Sequence, residues 1–227
     1  VSSVGVALKT SPLIAAAMMV VLSACSSPAM SPTGEQIVVV GDSYTTGPRD
    51  NGEDPDVWPA MTWRALRGEG YSISPTVSGE GGAGYAHPGH RGGVFDDKAE
   101  VIQQSTELMV FFGSANDMTV PPEALKAAVR QTLKAARLAA PKAHLLVIGP
   151  AWPRPEVPAE VRRVRDIVRD EAAGTGAEFV DPLEQGWLWD DSGLIGSDGI
   201  HPNLAGQRYL AKKIRPLIQA ELPAPQP

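Results

Sequence analysis

The chain predicts an α/β fold, a three-layer α/β/α sandwich around a parallel sheet of about five strands, and three observations carry that prediction. Short apolar runs alternate with longer amphipathic segments from Gln36 onward. Each run is bounded by Gly, Pro, Asp or Asn, as strands buried on both faces are. Such alternation calls for a parallel sheet, because a crossover that joins parallel neighbours is long enough to hold a helix. With 227 residues, the chain fills one domain of this kind and is short for two.

The strands are read at residues 37–40 (Ile-Val-Val-Val), 71–77, 108–112 (Leu-Met-Val-Phe-Phe), 145–148 and 178–180. Between them, helices are read at 58–67, 121–139, 156–173 and 203–222. The second starts with Pro121 and Pro122, where a missing N–H does no harm. The third carries Val161, Val164, Ile167 and Val168 on one face, and the last carries Leu204, Tyr209, Leu210, Ile214 and Leu217. Sites on open parallel sheets form at the carboxyl ends of the strands. Ser43 stands there, behind the first one.

The first residues are a separate matter. Lys9 precedes an uncharged apolar run over 13–22, followed by Ser23-Ala24-Cys25. A positive start, a short apolar segment and small residues describe an export signal, and the run is short for a membrane span. Leu22-Ser23-Ala24-Cys25 resembles the lipobox of bacterial lipoproteins. That resemblance implies cleavage before Cys25, a diacylglyceryl group on its sulfur, and a protein held on the outer side of the cell membrane. A plain secretory signal with an incidental cysteine is the alternative. The expected organisation is thus a signal at 1–24, a Ser- and Pro-rich tether at 25–35, a folded domain at 36–222 and a frayed tail at 223–227. Cys25 is the lone cysteine, so no internal disulfide forms despite export. Twenty Lys and Arg against 26 Asp and Glu give a net charge of −6, which disfavours a nucleic-acid backbone as partner.

The chemistry sits in four segments. Gly41-Asp42-Ser43 follows the first strand, and Asp198-Gly199-Ile200-His201-Pro202 lies near the other end. Serine is a weak nucleophile until a base takes its proton and a third group orients the base. Alone, either segment reads equally as a turn or a helix cap. Two intermediate segments change that balance: the glycine-rich stretch 78–85 (Ser-Gly-Glu-Gly-Gly-Ala-Gly-Tyr) and Gly113-Ser114-Ala115-Asn116-Asp117 after the third strand. In a parallel sheet all four converge on one edge.

Together these segments resemble the SGNH (GDSL-type) hydrolase family, from about Ile37 to Leu217. The resemblance implies a flavodoxin-like sheet and hydrolysis of carboxylic esters through an acyl-enzyme. It also implies Ser43 as nucleophile, His201 as general base and acid, and Asp198 as the group that orients the imidazole. The Ser43 backbone N–H, a glycine N–H in the second segment and the Asn116 side chain would form the oxyanion hole. Gly84 best fits the family spacing, with Gly82 as the fallback. The sequence departs from the pattern in two places: Tyr44 replaces the leucine of Gly-Asp-Ser-Leu, and Ser114 stands where a glycine is usual.

Other features carry less. Asp42 and Asp117 are expected to hold turns through backbone hydrogen bonds. His87 and His90 read as a loop pair near the pocket; no metal and no organic cofactor is implied. Trp187 and Trp189 either wall the substrate pocket or cover the sheet. Arg162, Arg163, Arg165 and Arg169 are interleaved with acids and read as a solvated helix face. The expected substrate is an acyl lipid or an O-acetylated sugar of the cell envelope. Acyl transfer to a sugar, and a glycan- or wall-binding lipoprotein that keeps the fold without turnover, are the alternatives.

Overall fold

Five strands form one sheet: Glu35–Gly41 (β1), Ile73–Gly79 (β2), Leu108–Phe112 (β3), His144–Ile148 (β4) and Glu178–Val180 (β5). Their order is β2-β1-β3-β4-β5, with every neighbour parallel. The computed structural model describes residues 1–3, 5, 34–48, 54–189 and 192–225. Most of the expected signal, Cys25 and nearly all of the tether lie outside the described residues, as do the last two residues of the tail. Among the described residues, no helix is long and apolar enough to cross a membrane.

The continuous apolar runs have a direct physical cause: side chains alternate between two buried faces. Val38, Val40, Met109, Phe111, Leu145 and Val147 point to one layer. There they meet the helices Phe95–Ala99 (α3), Pro122–Ala139 (α4) and Ala159–Ala173 (α5). Ile37, Val39, Leu108, Val110, Phe112, Leu146 and Ile148 point to the other, against Trp58–Gly68 (α2) and Leu204–Ala220 (α6). Each helix contributes a stripe at helical spacing, as Leu125, Val129, Leu133 and Ala136 do on α4. Truncating such a leucine to alanine typically costs about 2 to 5 kcal/mol.

Register positions the site. Gly41 lies level with Gly79 of β2 on one side and with Phe112 of β3 on the other. The loops leaving β1, β2 and β3 therefore start from one line. Strand order reverses between β1 and β3, since β2 is added on one side of β1 and β3 to β5 on the other, and such a switch point is where open α/β sheets bind ligands.

Several details differ from the sequence reading, among them the third of the helices read there, which starts at Ala159 and not at 156 because Pro155 and Pro158 precede it. The second strand starts two residues later than expected. It is an edge strand containing Pro75, and the aromatic Tyr71 drew the expected start forward. The short helices Ser43–Thr46 (α1) and α3, and the 3-10 turns at Ala115–Thr119 and Ser192–Leu194, are too short to leave a periodic signal. The arginine face is only partly solvated. Arg165 is ion-paired to Asp181 at 2.6 Å, and Arg163 donates to the Met118 carbonyl at 2.9 Å.

Candidate active site

Ser43 opens α1, immediately after β1. Asp42 caps that helix: its Oδ1 accepts the Tyr44 amide at 2.9 Å. The Asp42 carboxyl is only 6% exposed, and burial pushes its pKa up to about 6, against hydrogen bonds from Tyr44 and Ser114 and the charge of His201. Ser43 thus follows a buried acid at the end of a central strand.

His201 reaches Ser43 from the far end of the chain. Its Nε2 lies 3.1 Å from Ser43 Oγ, and its Nδ1 lies 2.7 Å from Asp198 Oδ2. The other oxygen of Asp198 accepts the amides of Ile200 at 2.9 Å and His201 at 3.0 Å. Those hydrogen bonds, that of the Ile200 amide first, hold the Asp198 carboxyl far below the usual range. The turn closes through Gly199 at φ +70°, a conformation that needs glycine. An antiparallel bridge between Ile195 and Pro202 clamps its base. Behind it, the Asn203 side chain caps α6 by accepting the Gly206 amide.

Asn116 enters from the loop after β3. Its Nδ2 donates to the Ala83 carbonyl at 2.9 Å and makes a looser 3.4 Å contact with Asp42 Oδ2. Ser114, the departure from the family pattern, caps this 3-10 turn: its Oγ accepts the Asn116 amide at 3.0 Å. Asp117 points the other way. Wholly buried, it gathers the amides of Tyr85, Ala86 and His87 at 2.8 to 2.9 Å. Burial raises its pKa, opposed by those same amides.

The second segment corrects the choice of glycine. The Gly84 amide is already spent on the His87 carbonyl at 2.8 Å. A Cβ on Gly84 would fall 2.5 Å from both Asp117 carboxylate oxygens. Gly84 is glycine so that Asp117 can come close, and its N–H is not turned to the cleft. Gly82 does line the cleft with Ser43 and Asn116. Among the described residues its amide donates to no partner. Spacing alone favoured Gly84, whose amide is already bonded, because both candidates sit in one glycine-rich run.

The cleft over Ser43 has a volume of about 430 Å³. Apolar walls come from Phe112, Met118, Ala151, Trp152 and Ile200, and Arg154 stands at its rim. Trp152 and Arg154 were not anticipated; they follow a strand end, which was the signal available for them. His87 and His90 both line the cleft, as a loop pair. No group of three metal-ligating side chains occurs among the described residues. Trp187 is buried under the site against Phe112, and Trp189 packs beside Val157 and Val161, so both cover the fold. A second cleft of about 360 Å³ meets the first at Ser43, His90 and His201, on the Asp198 side.

Fold and site together define a serine ester hydrolase. The chain belongs to the GDSL-like Lipase/Acylhydrolase family, which it matches over residues 39–209. It is 47% identical over 190 residues to GDSL lipase Rv0518 of Mycobacterium tuberculosis (strain ATCC 25618 / H37Rv), an alignment covering 82% of each chain. Among solved structures, it is similar to the psychrotrophic esterase EstA from Pseudoalteromonas sp., in a form inhibited by monoethylphosphonate. The TM-score is 0.66 at 15% identity, over 82% of this chain and 97% of that one. A family two carbohydrate esterase from Clostridium thermocellum, in complex with cellohexaose, gives 0.65 at 16% identity, over 84% of this chain and 65% of that one. At such identities the two structures speak for the fold alone.

Proposed function

We propose that Ser43 attacks the carbonyl carbon of a carboxylic ester and carries the acyl group as a covalent intermediate. The observation that carries this reading is the continuous chain Ser43 Oγ–His201 Nε2 and His201 Nδ1–Asp198 Oδ2, at 3.1 and 2.7 Å. With Nδ1–H donated to Asp198, Nε2 is left free to take the serine proton. The imidazolium so formed is stabilised by a carboxylate that stays ionised throughout. It then protonates the departing alcohol oxygen. Water enters, His201 removes its proton, and the resulting tetrahedral adduct releases the acid and restores Ser43.

The developing oxyanion is taken up by the N–H groups of Ser43 and Gly82 and by Asn116 Nδ2. The Asn116 N–H turned to Asp42 is loosely held, with Nδ2 3.4 Å from Oδ2, and is the one the oxyanion draws. The substrates proposed are carboxylic esters, either acyl lipids or O-acetylated sugars, and the apolar cleft walls support the binding of an acyl group. We further propose export and a lipid anchor on Cys25 at the cell envelope, on the strength of the lipobox-like segment. One observation favours a second reading, acyl transfer to an alcohol. The cleft on the Asp198 side gives an acceptor a route to His201.

Hydrolysis of a p-nitrophenyl ester series from acetate to palmitate, with Ser43→Ala beside the parent chain, tests the proposal. Serine-dependent turnover limited to short chains points to acetylated sugars, and turnover of long chains points to lipids. Absence of Ser43-dependent turnover at every length would defeat the hydrolase mechanism.

A further inference from the structure

Tyr44 stands where the family pattern has leucine, and its hydroxyl makes a bond that leucine cannot. It donates to the Ile200 carbonyl at 2.6 Å, one residue before His201. The ring meets His201 edge-on with centroids 6.2 Å apart, and packs against Phe112 at 6.5 Å. Its own backbone is fixed at both ends. Asp42 accepts the amide, and Gln207 Nε2 donates to the carbonyl at 3.2 Å, while Gln207 Oε1 accepts the Trp58 amide at 2.8 Å. Burial raises the Tyr44 pKa above its ordinary value, so the hydroxyl remains a donor.

The need for such a tie follows from the Asp198–His201 turn. The two side chains are 51% and 49% exposed, and no strand carries them. The Asp198–His201 hydrogen bond is internal to the turn, so it moves with the turn and leaves the distance to Ser43 unset. Only groups from outside can set that distance. Among the described residues, two side chains reach the tip of the turn: Tyr44 at Ile200, and Arg154, whose Nη2 donates to the Gly199 carbonyl at 3.0 Å.

We propose that Tyr44 is a positioning residue whose hydroxyl ties the histidine turn to the helix of the nucleophile, with Arg154 as a second tie. This rests on the reading of Ser43 and His201 as nucleophile and base. A misplacement of 1 Å at reacting groups costs up to about 100-fold in rate, so loss of one of two ties is expected to cost about tenfold.

The test compares Tyr44→Phe, Tyr44→Leu, Arg154→Met and the Tyr44→Phe/Arg154→Met pair in the full chain, on one p-nitrophenyl ester. Tyr44→Phe keeps both ring contacts and removes only the hydroxyl. It is expected to lower kcat about tenfold, with KM within about twofold and the thermal midpoint almost unchanged. The rate of fluorophosphonate labelling at Ser43 should fall in step. The double variant should lose more than the product of the single losses, because each tie covers for the other. Wild-type kcat in Tyr44→Phe together with a loss in Tyr44→Leu would make the ring a packing element and overturn the proposal. Losses that simply multiply would overturn the shared tie. Ser43→Ala, run alongside, reports on the nucleophile separately, so failure of the tie and failure of the underlying mechanism are different results.

Discussion

The two halves of the site are built in different ways. Ser43 sits at the end of a strand buried on both faces, behind the buried Asp42 and just before the buried Thr45 and Thr46. His201 and Asp198 sit on a half-exposed turn between a 3-10 turn and α6, fixed at the tip by side chains from elsewhere. The serine half is placed by the register of three strands. The histidine half is placed by a few polar contacts. A hydrolase has reason for that division: the nucleophile must not move, whereas the base must exchange protons with alcohols and water that enter and leave.

The comparison breaks most visibly at the base. Replacing His201 with alanine is expected to lower kcat by about 10⁴-fold or more while leaving the thermal midpoint close to the parent's. The turn it occupies contributes no apolar core, so circular dichroism melting should separate chemistry from folding. A folded variant that retains turnover would mean that another group takes the proton.

Next comes Asn116, which belongs to the serine half by its contacts. Asn116→Ala is expected to lower kcat by about 100- to 1000-fold, the usual loss for one oxyanion donor. KM should change little, because the bond to the substrate oxygen strengthens only as the tetrahedral state forms. A loss seen mainly in KM would show ground-state binding instead.

The smallest effect sharpens the contrast in pH. Asp42 titrates near 6 in the fold against an ordinary 3.8, so the folded chain holds that proton more tightly than the unfolded chain does. Between these values the unfolded state loses the proton first, and the Asp42 contribution to stability falls as pH rises. The full difference amounts to about 3 kcal/mol above pH 6. Asp198 has the opposite sign: its depressed pKa adds stability above the ordinary carboxylate range and loses it on acidification. Denaturant melts of the parent and Asp42→Asn from pH 4 to 7 isolate the first effect. The stability of the variant relative to the parent should shift in its favour by about 2 kcal/mol across that range, the rest of the difference falling below pH 4. A pH-independent difference would mean that Asp42 is not held against its charge.

Much of this was legible in the sequence, for reasons that differ by region. The strand at 108–112 coincides with β3 because a buried parallel strand leaves an unbroken apolar run, and that at 178–180 coincides with β5, a three-residue edge strand whose Glu178 is exposed. Ser43, Asn116, Asp198 and His201 were legible because four polar or glycine-rich segments follow strands in one order and together resemble the motifs of one family. The structure brings all four together. Gly84 was misjudged because a glycine can be demanded by a neighbour's approach, here that of Asp117, as well as by a ligand's. Trp152 and Arg154 were illegible because nothing local marks which residues of a 151–158 loop face the cleft. The tie from Tyr44 to Ile200 spans 156 positions in the chain, and no local pattern encodes so distant a contact.

The central claim is that Ser43 is activated by His201. Incubation of the parent chain with a fluorophosphonate, followed by mass spectrometry of the tryptic peptides, tests it most directly. The account predicts one phosphonyl adduct on the peptide carrying Ser43, formed rapidly in the parent and slowly in His201→Ala. No adduct on Ser43, or equal labelling with and without the histidine, would contradict it.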